Sequence, residues 1–124
     1  MSAYHEIFVR TDKGENDFLA DVSAAAGTSL HPVPDEKNKD VSYAGRGDHA
    51  AIEIELSHAL EEDYGIPFQR YPILITLRDF DSDKTREEEL ARSLFQQLCR
   101  RGGYELLLVF NVSRLLDSCP AVRP

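Results

Sequence analysis

Four stretches of the chain carry apolar residues at strand-like length and spacing, and two carry them at helical spacing. The clearest unit runs from Arg70 to Phe110. Tyr71-Pro72-Ile73-Leu74-Ile75-Thr76-Leu77 is a β-branched, apolar run beside a proline, where a strand can start without losing a ladder bond. From Thr85 the period lengthens: Leu90, Leu94 and Leu98 recur every fourth residue with Ala91 and Phe95 beside them, opposite Glu88, Glu89, Arg92 and Gln96. Thr85 and Glu88 have capping-box spacing, the acids Glu87 to Glu89 open the helix, and Arg100 and Arg101 close it, as the macrodipole favours. Gly102-Gly103 supplies the stop, and Tyr104 to Val112 is a second apolar strand. Strand, helix and strand of these lengths predict a right-handed crossover between parallel strands.

The same reading places a strand over Ala3 to Arg10 and a helix capped near Asn16, with Phe18, Leu19, Val22 and Ala26 on its apolar side and Gly27 at its end. Ala50 to Ser57 alternates cleanly, Ile52, Ile54 and Leu56 against Glu53, Glu55 and Ser57, so one face is buried and the other wet. His58 to Tyr64 reads as a helical turn and Ser113 to Asp117 as a short terminal helix. Residues 28–47 form a long polar loop containing the run Asp35 to Asp40, with Val41 to Ala44 as a candidate edge strand. The tail, 118–124, reads as irregular. The order strand-helix-strand-strand-helix-strand predicts a single α+β domain over 1–124, a ferredoxin-like split β-α-β-β-α-β sandwich. The alternative is a small three-layer α/β sheet, with the terminal helix and the Ala59 to Tyr64 turn on the second face. In the first architecture Leu74, Leu107 and Val109 cannot all point at the same helices as their alternating neighbours Ile73, Ile75, Leu106 and Leu108, and the cover of the apolar face left open would come from the long loop, the tail, a second copy or another protein.

Composition narrows the function. With 42% hydrophobic and 29% charged residues the chain fits a soluble globular protein, and no apolar run reaches membrane-spanning length. The first residues lack the pattern of a secretory signal, so a cytoplasmic location is expected, with Cys99 and Cys119 as reduced thiols, Cys119 exposed. The net charge is −8 and unevenly spread: −3 over residues 1–47, −8 over 48–90 and +3 over 91–124. An acidic middle argues against nucleic acid or an anionic membrane as partner and suits a basic protein.

Motifs for chemistry are weak. Asp79-Phe80-Asp81-Ser82-Asp83 resembles half of a calcium loop, but Lys84 replaces the turn glycine and Leu90 the bidentate glutamate. His58 and Glu62 are four apart without a second histidine, Ser57 and His58 are adjacent and so point apart on a strand, and Gly45-Arg46-Gly47 is too short to cradle a phosphate. No catalytic residue, metal or cofactor is expected; an enzyme site at the strand ends near Asp79 and Asn111 is the least favoured reading. Interaction signals are stronger. Glu53, Glu55, Glu61, Glu62 and Asp63, then Asp79, Asp81 and Asp83, are enough carboxylates for one broad acidic surface, with Tyr64 and Phe80 as aromatic anchors.

Glu61-Glu62-Asp63-Tyr64-Gly65-Ile66-Pro67-Phe68, Arg70-Tyr71-Pro72 and Arg78-Asp79-Phe80-Asp81, in a short acidic chain without a catalytic motif, resemble the small acidic immunity proteins that protect bacteria from their own polymorphic toxins. The resemblance implies a stoichiometric inhibitor that occludes a basic surface of a cognate toxin, its acids steering the encounter and its aromatics holding the complex. The alternative is a ferredoxin-like regulatory or scaffold module that binds a small ligand and forms a homodimer through the open sheet face.

Overall fold

The computed structural model describes residues 3–34 and 41–120. In chain order it contains β1 (His5–Thr11), α1 (Glu15–Ala26), β2 (His31–Pro32), β3 (Tyr43–Arg46), β4 (Ala50–Glu55), a 3-10 turn (Phe68–Arg70), β5 (Ile73–Asp79), α2 (Lys84–Arg101), β6 (Tyr104–Phe110) and β7 (Arg114–Cys119). The fold is α+β: one antiparallel seven-stranded sheet, ordered β2-β3-β4-β5-β1-β6-β7, with two helices. The charged run 35–40 and the last four residues of the tail lie outside the described residues.

β5 and β6 run parallel to each other, as the crossover through α2 requires, but they do not touch. β1 lies between them and pairs antiparallel with both. Alternation then sorts each strand's residues between two cores. Ile7, Val9, Ile52, Ile54, Ile75, Leu77, Leu106 and Leu108 meet Phe18 and Val22 of α1 and Ala91, Leu94, Phe95 and Leu98 of α2. Gly27 takes the left-handed conformation that ends α1 (φ 65°), and the cap at its start is Gly14, two residues before Asn16. The cap of α2 is Asp83, whose carboxylate accepts the Arg86 N–H, so the expected Thr85–Glu88 box is displaced by a better acceptor two residues earlier.

On the other sheet face, Phe8, Leu74, Leu107 and Val109 form a second core with Ile66 and Phe68, bordered by Tyr71 and Val112. The cover therefore comes from the segment between β4 and β5, through Ile66 and Phe68 just after the Ala59 to Tyr64 stretch of the alternative architecture, and not from the long loop, the tail or a terminal helix. Phe8 and Phe68 are fully buried with ring centroids 4.6 Å apart, each contributing about 1.5–3 kcal/mol of apolar burial. This segment has no helical turn at His58 to Tyr64; the turn over Phe68–Arg70 comes later.

Two further expectations are corrected at the C-terminal end. Residues 113–117 are not a helix: the chain reverses through Asn111 and Val112, both at positive φ, and β7 pairs with β6 across a bulge at Leu108/Val109. Five residues are too few to hold a helix unaided, whereas the open edge of β6 offers them ladder partners. This return brings Cys119 beneath the end of α2, where it is 5% exposed and disulfide-bonded to Cys99. The thiols are thus neither reduced nor exposed in this structure. Within 28–47, β3 extends from Tyr43 to Arg46 and β2 pairs outside it, so β3 is not the edge. Gly45 makes that pairing fit: a Cβ there would lie 2.5 Å from the Ser29 carbonyl oxygen.

Candidate interaction surface

The acidic residues of the chain's middle divide into two groups at opposite ends of the sheet. Register decides this: Ala50 pairs with Asp79 at one end of the β4–β5 ladder, and Glu55 pairs with Leu74 at the other. Asp79 to Asp83 therefore sit at the first end, and the segment containing Glu61 to Tyr64 leaves from the second.

At the first end the carboxylates are used internally. Asp79 is 4% exposed, and Arg86 grips it with two bonds, Nε to Oδ2 at 2.7 Å and a terminal nitrogen to Oδ1 at 2.9 Å. Its Oδ1 also accepts the backbone N–H groups of Asp81 and Asp83. The Arg86 guanidinium, helped by these two donors, holds the Asp79 carboxyl well below the usual carboxylate range despite its burial. Asp83 caps α2, and Asp81, exposed, pairs with Arg86 at 3.1 Å. Phe80 is partly exposed, and the Arg46 guanidinium lies over its ring at 4.5 Å.

A buried carboxylate that pattern reading missed stands behind this loop. Glu87 is fully buried and accepts the backbone N–H groups of His5 and Asp79, each at 3.0 Å, where β1 and β5 separate and lack ladder partners for them. The His5 ring nitrogen Nδ1 lies 2.7 Å from the same carboxylate, and Lys84 lies 3.2 Å from its other oxygen. One signal was available: Glu87 precedes Ala91, Leu94 and Leu98 by four, seven and eleven residues, which puts it on the apolar stripe of α2.

At the second end the carboxylates face outward. His58 fixes the start of the segment: its Nδ1 accepts the Leu60 N–H at 3.0 Å, so the protonated Nε2 donates to the Tyr71 carbonyl at 2.5 Å, and its ring meets Phe8 edge-on. Asp63 and Ile66 exchange both backbone hydrogen bonds around Tyr64 (φ 52°) and Gly65 (φ 75°), the dihedral signs of a type I′ turn. Tyrosine is an unusual and strained occupant of that first position, held here by the Asp63 carboxylate, which accepts the Tyr64 N–H. Tyr64 is 71% exposed at the tip, flanked by exposed Glu61, Glu62 and Asp63, while Ile66 and Phe68 root the turn in the second core. Glu61 and Glu62 have no ionic partner among the described residues.

Glu53 and Glu55 lie between the two groups on the second face, and Glu53 pairs with Arg78 at 3.4 Å. Neighbouring Glu6 of β1 is 6% exposed; burial raises its pKa to about 7, against the opposing hydrogen bond from the Val112 N–H and with help from the charges of Glu55 and Glu87. Among the described residues no group of histidine, cysteine and carboxylate side chains is arranged to hold a metal ion, and no helix is long and apolar enough to cross a membrane. No protein-family model matches the chain, and searches of curated proteins and of solved structures found no match.

Proposed function

We propose that this chain is a stoichiometric protein inhibitor, an immunity protein that binds a cognate bacterial toxin through the acidic, aromatic turn at Glu61-Glu62-Asp63-Tyr64. The observation that carries the reading is Tyr64, a large aromatic side chain at the exposed tip of a tight, strained turn, ringed by carboxylates. A solvated loop gains nothing from such a residue at positive φ. A binding surface gains a pre-ordered aromatic anchor whose ordering cost is already met by folding. Two unpaired glutamates beside it supply the field that draws in a basic surface. We also propose the ferredoxin-like split arrangement for the scaffold. The neighbouring order β4-β5-β1-β6 and the placement of both helices against one core support it. The homodimeric regulatory reading rested on an open apolar face, and Ile66 and Phe68 of the chain itself pack against that face.

The test is growth rescue. The product of the neighbouring gene is expressed under tight control with and without this chain. Restored growth is expected, together with its loss when Glu61→Lys, Glu62→Lys and Asp63→Lys are combined with Tyr64→Ala. A harmless neighbour, or killing that this chain does not relieve, overturns the proposal.

A further inference from the structure

The seven-stranded sheet is wider than the helix layer above it. Strands spaced about 4.8 Å apart give a sheet roughly 29 Å across, whereas two helices at roughly 10 Å each cover roughly 20 Å. The helix layer therefore covers the outer strands only in part: the Cys119 end of β7 lies under α2, and the Arg114 end opens beside its first turns. At the β7 flank the result is a cleft of ≈ 250 Å³ between α2 and the β6–β7 end of the sheet. Its floor is one register row, in which Arg114 is paired with Phe110 and Phe110 with His5. Its wall is the first turns of α2, which contribute Lys84, Thr85, Glu88 and Arg92.

The charges in this cleft do not cancel. Lys84 is tied to the buried Glu87, and Arg92 Nε binds Glu88 Oε2 at 2.8 Å. Arg114, exposed on the facing strand, has no ionic partner or side-chain hydrogen bond among the described residues. His5, only 2% exposed, is oriented by Glu87 at Nδ1, so that its Nε2 edge lies on the cleft side, 3.5 Å from Glu88 Oε1. Thr85, exposed, adds a hydroxyl.

We propose that this cleft binds a small tetrahedral oxyanion, phosphate either as the free ion or as the head of a monoester. Arg114 on the strand floor, and Arg92, whose terminal nitrogens are not the ones bound to Glu88, with Thr85 on the helix wall, line the one cleft, so donors come from both of its sides. That suits the oxygens of a tetrahedral ion better than the two coplanar oxygens of a carboxylate. The volume lies below the usual range for drug-sized ligands and suits an ion or headgroup. The site lies on the helix side of the sheet and does not depend on the turn at Tyr64.

Amide and histidine resonances of the full chain, followed while inorganic phosphate is added at constant ionic strength, test this. Saturable shifts are expected at His5, Thr85 and Arg114. Arg114→Ala should weaken binding about tenfold, the loss of one charge-assisted contact, and leave the fold intact because the exposed side chain has no partner among the described residues. Arg10→Ala, at the far end of β1, should change nothing. Phenyl phosphate binding more tightly than inorganic phosphate assigns the monoester, and the reverse assigns the free ion. Shifts that never saturate, affinity untouched by Arg114→Ala, or acetate binding as tightly as phosphate would each overturn the proposal.

Discussion

Asp79-Phe80-Asp81-Ser82-Asp83 and Glu61-Glu62-Asp63-Tyr64-Gly65 are near twins in composition, each a cluster of acids around one aromatic ring. Their fates differ. Asp79 and Asp83 are consumed by Arg86 and by the backbone donors of the turn and of α2, and Phe80 is capped by Arg46. At Tyr64 no helix start and no arginine among the described residues lies against the acids, so Glu61 and Glu62 have no ionic partner there and the ring stands in solvent. The difference lies in the supply of donors. A helix N-terminus and a guanidinium turn carboxylates into fold, and without them the same residues remain surface.

Substitutions can break this contrast, beginning at the internal end. Glu87→Ala removes the acceptor shared by His5, Asp79 and Lys84 and should cost about 3–5 kcal/mol in urea unfolding, because buried donors lose their partner. A cost under 1 kcal/mol would mean that water takes over the role. Next comes the cystine. Replacing Cys99 and Cys119 together by serine should cost about 3 kcal/mol, set by the 20-residue separation that the bond closes. The fully oxidised state is checked by thiol titration of the denatured protein; two free thiols would sink the assignment.

Glu6 gives the pH dependence. Its folded pKa lies above the unfolded value, so between about 4.5 and 7 the folded state holds a proton that the unfolded state has released, and stability falls as pH rises through that window. The loss by pH 8 should be about 3 kcal/mol. Glu6→Gln, which keeps an acceptor for Val112, should flatten the slope. Asp79 works in the opposite sense: its lowered pKa gives stability present above about pH 4 and lost as pH falls further. At the outward end the effects on folding are small. Tyr64→Asn should stabilise the chain by about 1 kcal/mol by relieving the positive φ, while weakening partner binding. Joint reversal of Glu61, Glu62 and Asp63 to lysine should leave stability within about 0.5 kcal/mol. It should also slow association about tenfold or more at low salt and flatten its salt dependence; unchanged kinetics would place the partner surface elsewhere.

Local periodicity determined the two helices, the main strands, the Gly27 stop and the class α+β, because apolar spacing and chain punctuation act within a few residues. It also named Glu61 to Tyr64 and Asp79 to Asp83 as the acidic stretches. Tertiary structure decided the rest. Insertion of β1 between β5 and β6, the fold-back of Ile66 and Phe68 over the second face, and the return of β7 that unites Cys99 with Cys119 all depend on partners distant in sequence. Which carboxylate is buried was likewise settled by what packs against it. Spacing puts Glu87 and not Glu89 on the apolar stripe of α2, but that it accepts the backbone N–H groups of His5 and Asp79 follows from where β1 and β5 separate. Hydrogen-bond partners contributed by other elements leave no mark on the local pattern, and here they separate structural acids from exposed ones.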